Sequence, residues 1–223
     1  MVPVCAVGLI AWALIGAAQP VRAAEVPVSS GEMAKYEKGF GALQQGTRTF
    51  SAEILQTLTL QGLDHPIVSK GLLYFSNPDK LLIRFSQPAG EWMLVNASGA
   101  AIKKKGQPVD FHAAKGPGKG GSRPANLLDF FRNGPDHWHQ NFDVSMTRDG
   151  DKLWVHLKPW MTPTSTFQGV DSILTTLQLP SYEIISMEIT MSGANQVRYE
   201  FSDAHRNLSL DPALFVLPKE IAP

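Results

Sequence analysis

The sequence predicts a mainly β fold of the α+β kind, one large curved antiparallel sheet whose concave face is plugged by short helices. Three observations carry that expectation. Short alternating or wholly apolar runs recur from Thr49 to Phe201, each bounded by Gly, Pro, Asn or Asp. Only two or three segments show the three- and four-residue spacing of a helix. No repeat stands out at solenoid period. With 223 residues, 43% of them hydrophobic, the chain suits one domain with a real core. Roughly eight to eleven strands are expected.

The first two dozen residues differ from the rest. Val4 to Ala18 is an almost unbroken apolar run, followed by Pro20 and the small-residue site Val21-Arg22-Ala23. That pattern is a secretory signal with cleavage after Ala23, although no Lys or Arg precedes the run. The run is short for a membrane span. The expected organisation is therefore a signal peptide over 1–23 and one domain over 24–223, with the periplasm as address. The single cysteine, Cys5, lies inside the signal, so the exported chain would rely on its core and not on disulfides. Lys plus Arg and Asp plus Glu each number 20, and this neutrality points to neither nucleic acid nor an acidic membrane as partner.

Gly31 to Gln45 reads as a helix, with Met33, Tyr36, Phe40 and Leu43 in one stripe and Gly39 and Gly41 weakening it. Thr49 to Leu60 alternates as a half-buried strand, with Phe50, Ala52, Ile54, Leu58 and Leu60 on one face. Gln61 to Pro66 is a turn. Two apolar runs follow, Leu72–Phe75 and Leu81–Phe85, joined by Ser76-Asn77-Pro78-Asp79-Lys80, which is turn chemistry. Both runs carry apolar residues on both faces, whereas a sheet with one wet face alternates cleanly. Either protein covers both faces, or one face lines a greasy cavity.

Glu91 to Val95 is a further short strand, and Asn96 to Gly99 a turn. Gly106 to Pro124 reads as a long Gly-, Pro- and Lys-rich loop, and Pro124 to Asn133 as a short helix stopped by Gly134-Pro135. Asn141–Thr147, Lys152–Lys158, Tyr182–Met191 and Gln196–Ser202 alternate as strands, with Ile185, Met187, Ile189 and Met191 expected on one face. Gly169 to Leu179 fits a short helix or a loop lid. Asp211 to Phe215 reads as a turn of helix, followed by a strand-like Phe215 to Pro218.

Little catalytic chemistry is legible. There is no G-x-S-x-G elbow and no H-E-x-x-H, and the acidic residues are scattered. His137-Trp138-His139 puts two imidazoles on one face if the segment is extended, but no third ligand is close. Gly116 to Ser122 resembles a phosphate loop by composition only. Lys103, Lys104, Lys105, Lys115, Lys119 and Arg123 form a basic patch that could meet phosphate headgroups or an acidic partner, or simply be solvated. No enzyme, metal or cofactor is expected, and the chain is expected to be a monomer.

Several motifs together resemble the LolA family of periplasmic lipoprotein carriers. They are Phe50-Ser-Ala with Gln56, Lys70-Gly71, Asn77-Pro78 with Lys80, Leu81, Ile83, Phe85 and Pro88, and Val95 with Ser98-Gly99. Near the end come Val197, Tyr199 and Phe201, followed by Asn207, Leu210-Asp211-Pro212 and Phe215. The resemblance is strongest over residues 40–100 and 180–218. It implies an incomplete β-barrel with a helical lid over a hydrophobic cavity, faced by Phe50, Ile54, Leu73, Phe75, Leu81, Ile83 and Phe85. It also implies acylated lipoprotein or lipid as cargo, an inner-membrane release complex as donor and an outer-membrane receptor as acceptor. Where the family carries Arg before the Pro of the turn, as a lid contact, this chain has Asn77. A non-enzymatic envelope-assembly or interaction module with a filled core is the other reading.

Overall fold

The computed structural model describes residues 25–113, 128, 131–160, 167 and 169–217. The expected signal over 1–23 and the Gly-rich segment over 114–123 lie outside the described residues. Twelve strands form one antiparallel sheet: β1 (Val26–Pro27), β2 (Thr49–Thr59), β3 (Ile67–Ser76), β4 (Lys80–Gln87), β5 (Trp92–Asn96), β6 (Gly99–Lys103), β7 (Asp110–Ala113), β8 (Phe142–Asp149), β9 (Lys152–Pro159), β10 (Val170–Gln178), β11 (Glu183–Met191) and β12 (Asn195–Arg206). Their spatial order is β1-β8-β9-β10-β11-β12-β2-β3-β4-β5-β6-β7, with β1 and β7 as unjoined edges. The sheet is open, not a closed barrel. Two helices have both ends among the described residues, α1 (Ser30–Gln45) and α2 (Pro135–Asn141), and a 3₁₀ turn spans Pro212–Phe215.

The order has a simple origin. Almost every neighbour in the sheet is also a neighbour in sequence, joined by connections that run from two residues, as between β5 and β6 or β8 and β9, to ten between β9 and β10. Asn77-Pro78-Asp79 reverses β3 into β4 so that Ser76 faces Lys80. Two pairings are long-range: the short β1 against β8, where Val26 faces Arg148, and β12 against β2, where Val197 faces Leu58 and Phe201 faces Ile54. The second joins the two meanders into one sheet.

The helix α1 begins where Glu32 folds back on Ser29, accepting hydrogen bonds from its hydroxyl at 2.8 Å and its N–H at 3.3 Å. Those bonds hold the Glu32 carboxyl below its ordinary value, the Ser29 hydroxyl contributing most. This cap is therefore complete above the free carboxylate range and is lost as pH falls through the lowered value. Tyr36 and Phe40 are the buried residues of the helix. Gly39, which costs helix propensity, faces the ring of Tyr182, and a Cβ there would collide with it. Gly71 is required for a related reason. A Cβ on it would sit 2.9 Å from Cα of Phe85, where β3 and β4 cross at a register shift.

The two-faced apolarity of β3 and β4 has a two-part explanation. Leu73, Phe75, Leu81, Ile83 and Phe85 enter the main core on the concave side. Leu82, with Leu94 of β5 and Ala101 of β6, forms a second core on the convex side with Phe215 and Leu217. The C-terminal segment thus covers the outside of the sheet, pinned by the Asn96 amide, which donates to the Phe215 carbonyl at 3.0 Å. The strand expected over Phe215 to Pro218 is absent as far as Leu217. Phe215 ends the 3₁₀ turn and Leu217 packs by its side chain, not through a ladder.

Other expectations are corrected. Gly169 to Leu179 is neither helix nor lid but a strand, β10, with Val170, Ile173 and Leu177 buried. A bulge at Asp171 breaks its alternation, and Thr175 takes an inward position that the pattern assigns to an apolar residue. Ile185 is the extra residue of a second bulge, opposite the Thr176/Leu177 step, so Ile184 is buried in its place. The loop expected over Gly106 to Pro124 contains β7, whose Asp-Phe-His-Ala sequence carries almost no strand signal. The helix expected over Pro124 to Asn133 lies largely outside the described residues, and Leu128, Phe131 and Arg132 within it are helical.

Thr175 makes a prediction about stability. It is fully buried, and its hydroxyl lacks a hydrogen-bond partner among the described residues. Thr175→Val removes an unsatisfied polar atom while keeping the shape. It should stabilise the protein by about 1 kcal/mol, a rise in Tm of about 2–4 °C for a domain of this size. Calorimetry of the two proteins checks this, and a lower Tm for the valine variant would contradict it.

Candidate functional site

The concave face has a filled end and an open end. At the filled end Phe131 is wedged between the two sheet halves. Its ring centroid lies 5.3 Å from Phe50, 5.6 Å from Phe75 and 6.2 Å from Phe201. Phe40 of α1 stacks on Trp138 of α2 at 5.4 Å. The seven residues that the family resemblance places at a cavity, Phe50, Ile54, Leu73, Phe75, Leu81, Ile83 and Phe85, all fall in this one buried cluster, together with Tyr36, Phe40, Leu128, Phe131 and Trp138. Phe50, Leu73, Phe75, Leu81 and Ile83 are no more than 1% exposed.

The open end is a groove of about 360 Å³ on the concave side. One bank comes from β10, β11, β12 and β2. Leu58, Val197 and Ile189 lie side by side across three strands, since Leu58 faces Val197 and Val197 faces Ile189. Val170 and Met191 extend that bank. The other bank comes from β3 to β6, with Ile67, Phe85, Met93 and Ile102, the last two facing each other across the ladder. Of the seven expected cavity residues, Phe85 alone reaches this groove. Among its polar lining groups, the Gln56 amide donates to the Tyr199 hydroxyl at 3.0 Å. Glu91, Lys103 and Lys104 line it on the β5–β6 side. This is an apolar slot with polar groups at its borders, a lining suited to binding.

Leu58, Ile189, Met191, Val197 and Tyr199 all lie on faces that the alternation marks as inward. What the sequence cannot supply is the sheet order, which brings β10 and β6 to opposite banks of one groove.

Asn77 lies at the filled end. Its amide reaches the Thr47 carbonyl at 3.4 Å, and its N–H donates to the Arg48 carbonyl at 2.9 Å, so it ties the β3–β4 turn to the α1–β2 connection. A cation does stand near that corner, but it comes from β12. The Arg206 guanidinium lies 4.9 Å from the centre of the Phe50 ring and donates to the Thr47 hydroxyl at 2.9 Å. Burial pushes its pKa down, with Glu183 opposing. Sequence reasoning ends the last strand at Ser202 and so misses Arg206. A register shift between Ser202 and His205 carries the strand onward.

His137 and His139 are corrected. The segment is helical, α2, not extended, so residues two apart point to different sides. His139 pairs with Glu37 of α1 at 2.7 Å, and His137 meets the Asn141 amide at 3.1 Å. Among the described residues no group of three or more His, Cys, Asp or Glu could hold a metal, and no helix is long and apolar enough to cross a membrane.

The architecture is that of an open β half-barrel, plugged by helices, with an apolar groove left on its concave face. The chain belongs to the family described as "Outer membrane lipoprotein carrier protein LolA", whose profile matches residues 45–218. It is similar to the outer-membrane lipoprotein carrier protein of Chromobacterium violaceum, 25% identical over 176 residues, which covers 78% of this chain and 79% of that one. Among solved structures, it resembles a LolA superfamily protein from Nitrosomonas europaea (7% identical, TM-score 0.44, 82% of this chain and 97% of that one). It also resembles an uncharacterised conserved protein from Thermus thermophilus (7% identical, TM-score 0.49, 84% of this chain and 96% of that one).

Proposed function

We propose that this protein is a periplasmic carrier that holds acyl chains of lipoproteins, or of a related lipid, in the concave groove and carries them from the inner to the outer membrane. The observation that carries this reading is the groove itself, an apolar slot left open in a sheet that elsewhere fills its concave side. Membership of a family described as lipoprotein carriers supports the same reading. On it, the N-terminal segment over 1–23 exports the chain, and an inner-membrane release complex and an outer-membrane receptor are the donor and acceptor. The work of the site is binding and release, without a catalysed step.

Energetics give the filled end a role. Burying an acyl chain is worth about 0.8 kcal/mol per methylene, so a chain of ~15 would gain on the order of 12 kcal/mol. A carrier that gained all of it would not let go. A groove that accepts part of a chain, while Phe131 holds the rest of the concave face closed, keeps affinity in a reversible range.

The packing of Phe50, Leu73, Phe75, Leu81 and Ile83 favours a second reading, an envelope-assembly module whose core is its own. Native mass spectrometry of protein purified from its envelope without detergent, with solvent extraction, separates the two. The carrier reading expects a bound acylated species. Recovery of empty protein that also fails to bind a fluorescent acyl probe favours the assembly module.

A further inference from the structure

The floor of the groove is not uniformly apolar. Gln56 of β2 faces Ser69 of β3 on one side and Tyr199 of β12 on the other, so three polar side chains form one row across three adjacent strands. All three line the groove. Along the strands the row has apolar neighbours on both sides. Towards the filled end come Ile54 and Phe201, which face each other, and towards the open end comes Leu58, between Val197 and Ile67. A polar row on such a face is costly unless each group finds a hydrogen bond or keeps its water. Gln56 satisfies one N–H on the Tyr199 hydroxyl at 3.0 Å. Its second N–H and its carbonyl make no hydrogen bond among the described residues, and neither does the hydroxyl of Ser69, which is 7% exposed. Both side chains keep accessible polar surface, so these atoms open onto the groove. The row thus offers donors and acceptors without charge.

We propose that this row reads the carbonyl of an uncharged acyl ester or amide, which accepts from the second Gln56 N–H and the Ser69 hydroxyl while the chain lies over Leu58, Val197 and Ile67. This rests on the carrier reading and names the part of the ligand, beyond its chain, that the groove recognises. A bare hydrocarbon laid on the row would strip water from both groups and return no hydrogen bond. A carboxylate would find no cation in the row to balance its charge. An ester or amide carbonyl meets neither cost.

The test is displacement of a fluorescent acyl probe by monolauroylglycerol and by 1-O-dodecylglycerol, each below its micelle concentration. The two share head and chain length and differ by the carbonyl. The ester should displace the probe about tenfold more effectively than the ether, the worth of about one hydrogen bond. Gln56→Leu and Ser69→Ala, made separately and checked for folding by thermal melts, should each bring that ratio towards one, because each removes one of the two donors. Either variant that folds reads the row. Equal displacement by ester and ether in the unsubstituted protein overturns the proposal and leaves the carrier reading standing. So does an ester preference that survives in the folded variants. If neither the probe nor either competitor binds, the carrier reading falls as well.

Discussion

Leu58→Glu should weaken binding of an acyl probe by about 100-fold or more while the protein stays folded. Leu58 is half-buried at the centre of the apolar bank, beside Val197. In the empty protein a carboxylate there can turn toward solvent at the open side of the groove. With a chain in place it is trapped against methylenes, and the cost of burying an unpaired charge exceeds the roughly 2.7 kcal/mol that 100-fold requires. Leu72→Glu is the matched control. Leu72 is exposed and lies outside both buried clusters, and the same change there should leave affinity untouched. Fluorescence titration of the three proteins checks this. Equal binding by all three would place the chain elsewhere.

Phe131→Ala should produce the largest loss of stability of any single change considered. Phe131 is 6% exposed and meets the rings of Phe50, Phe75 and Phe201, which come from β2, β3 and β12. Removing it costs the transfer energy of the ring and leaves a cavity lined by aromatic groups that cannot collapse. Losses of this kind run to about 3–5 kcal/mol. For a domain of this size that is a fall in Tm of roughly 6–20 °C. The carrier reading adds a second expectation. The new cavity is apolar and lies on the same concave face as the groove, so an acyl ligand should restore part of the lost Tm and bind more tightly than to the unsubstituted protein. Thermal melts with and without probe measure both effects. A destabilised variant that gains nothing from the probe would mean that the filled end is structural and takes no part in binding.

Both predictions turn on residues that differ in how far the sequence discloses them. The sheet itself is legible because its neighbours are mostly sequential. The turns at Asn77-Pro78-Asp79 and near Gly150 show where hairpins close, and alternation in β2, β9 and β12 shows which side faces in. The inward direction of Leu58 and Val197 follows from that alternation alone. The groove does not, because it depends on curvature and on the β12–β2 pairing, which joins residues about 140 positions apart. The seven cavity residues inferred from family resemblance are all inward and all in one cluster, yet Phe131 stands against Phe50 and Phe75 and closes that part of the concave face. The strand β10 is hidden for a local reason, since the bulge at Asp171 shifts its period by one and Thr175 puts a hydroxyl in the core. The ends of the sheet are hidden because β1 has two residues and β7 four, too few for any period. The convex core is invisible until the C-terminal segment is seen to lie across β4, β5 and β6, although its elements, Leu82, Phe215 and Leu217, are plainly apolar.

The central claim is that the concave groove is where an acyl chain lies. It is tested most directly by photolabelling with a palmitate that carries a diazirine along its chain, followed by peptide mapping of the modified residues. The account predicts labels on Leu58, Met93, Ile102, Ile189, Met191 and Val197, suppressed by excess unlabelled palmitate. Labels confined to the convex face around Leu82, Phe215 and Leu217, or labels that excess palmitate leaves unchanged, would contradict it.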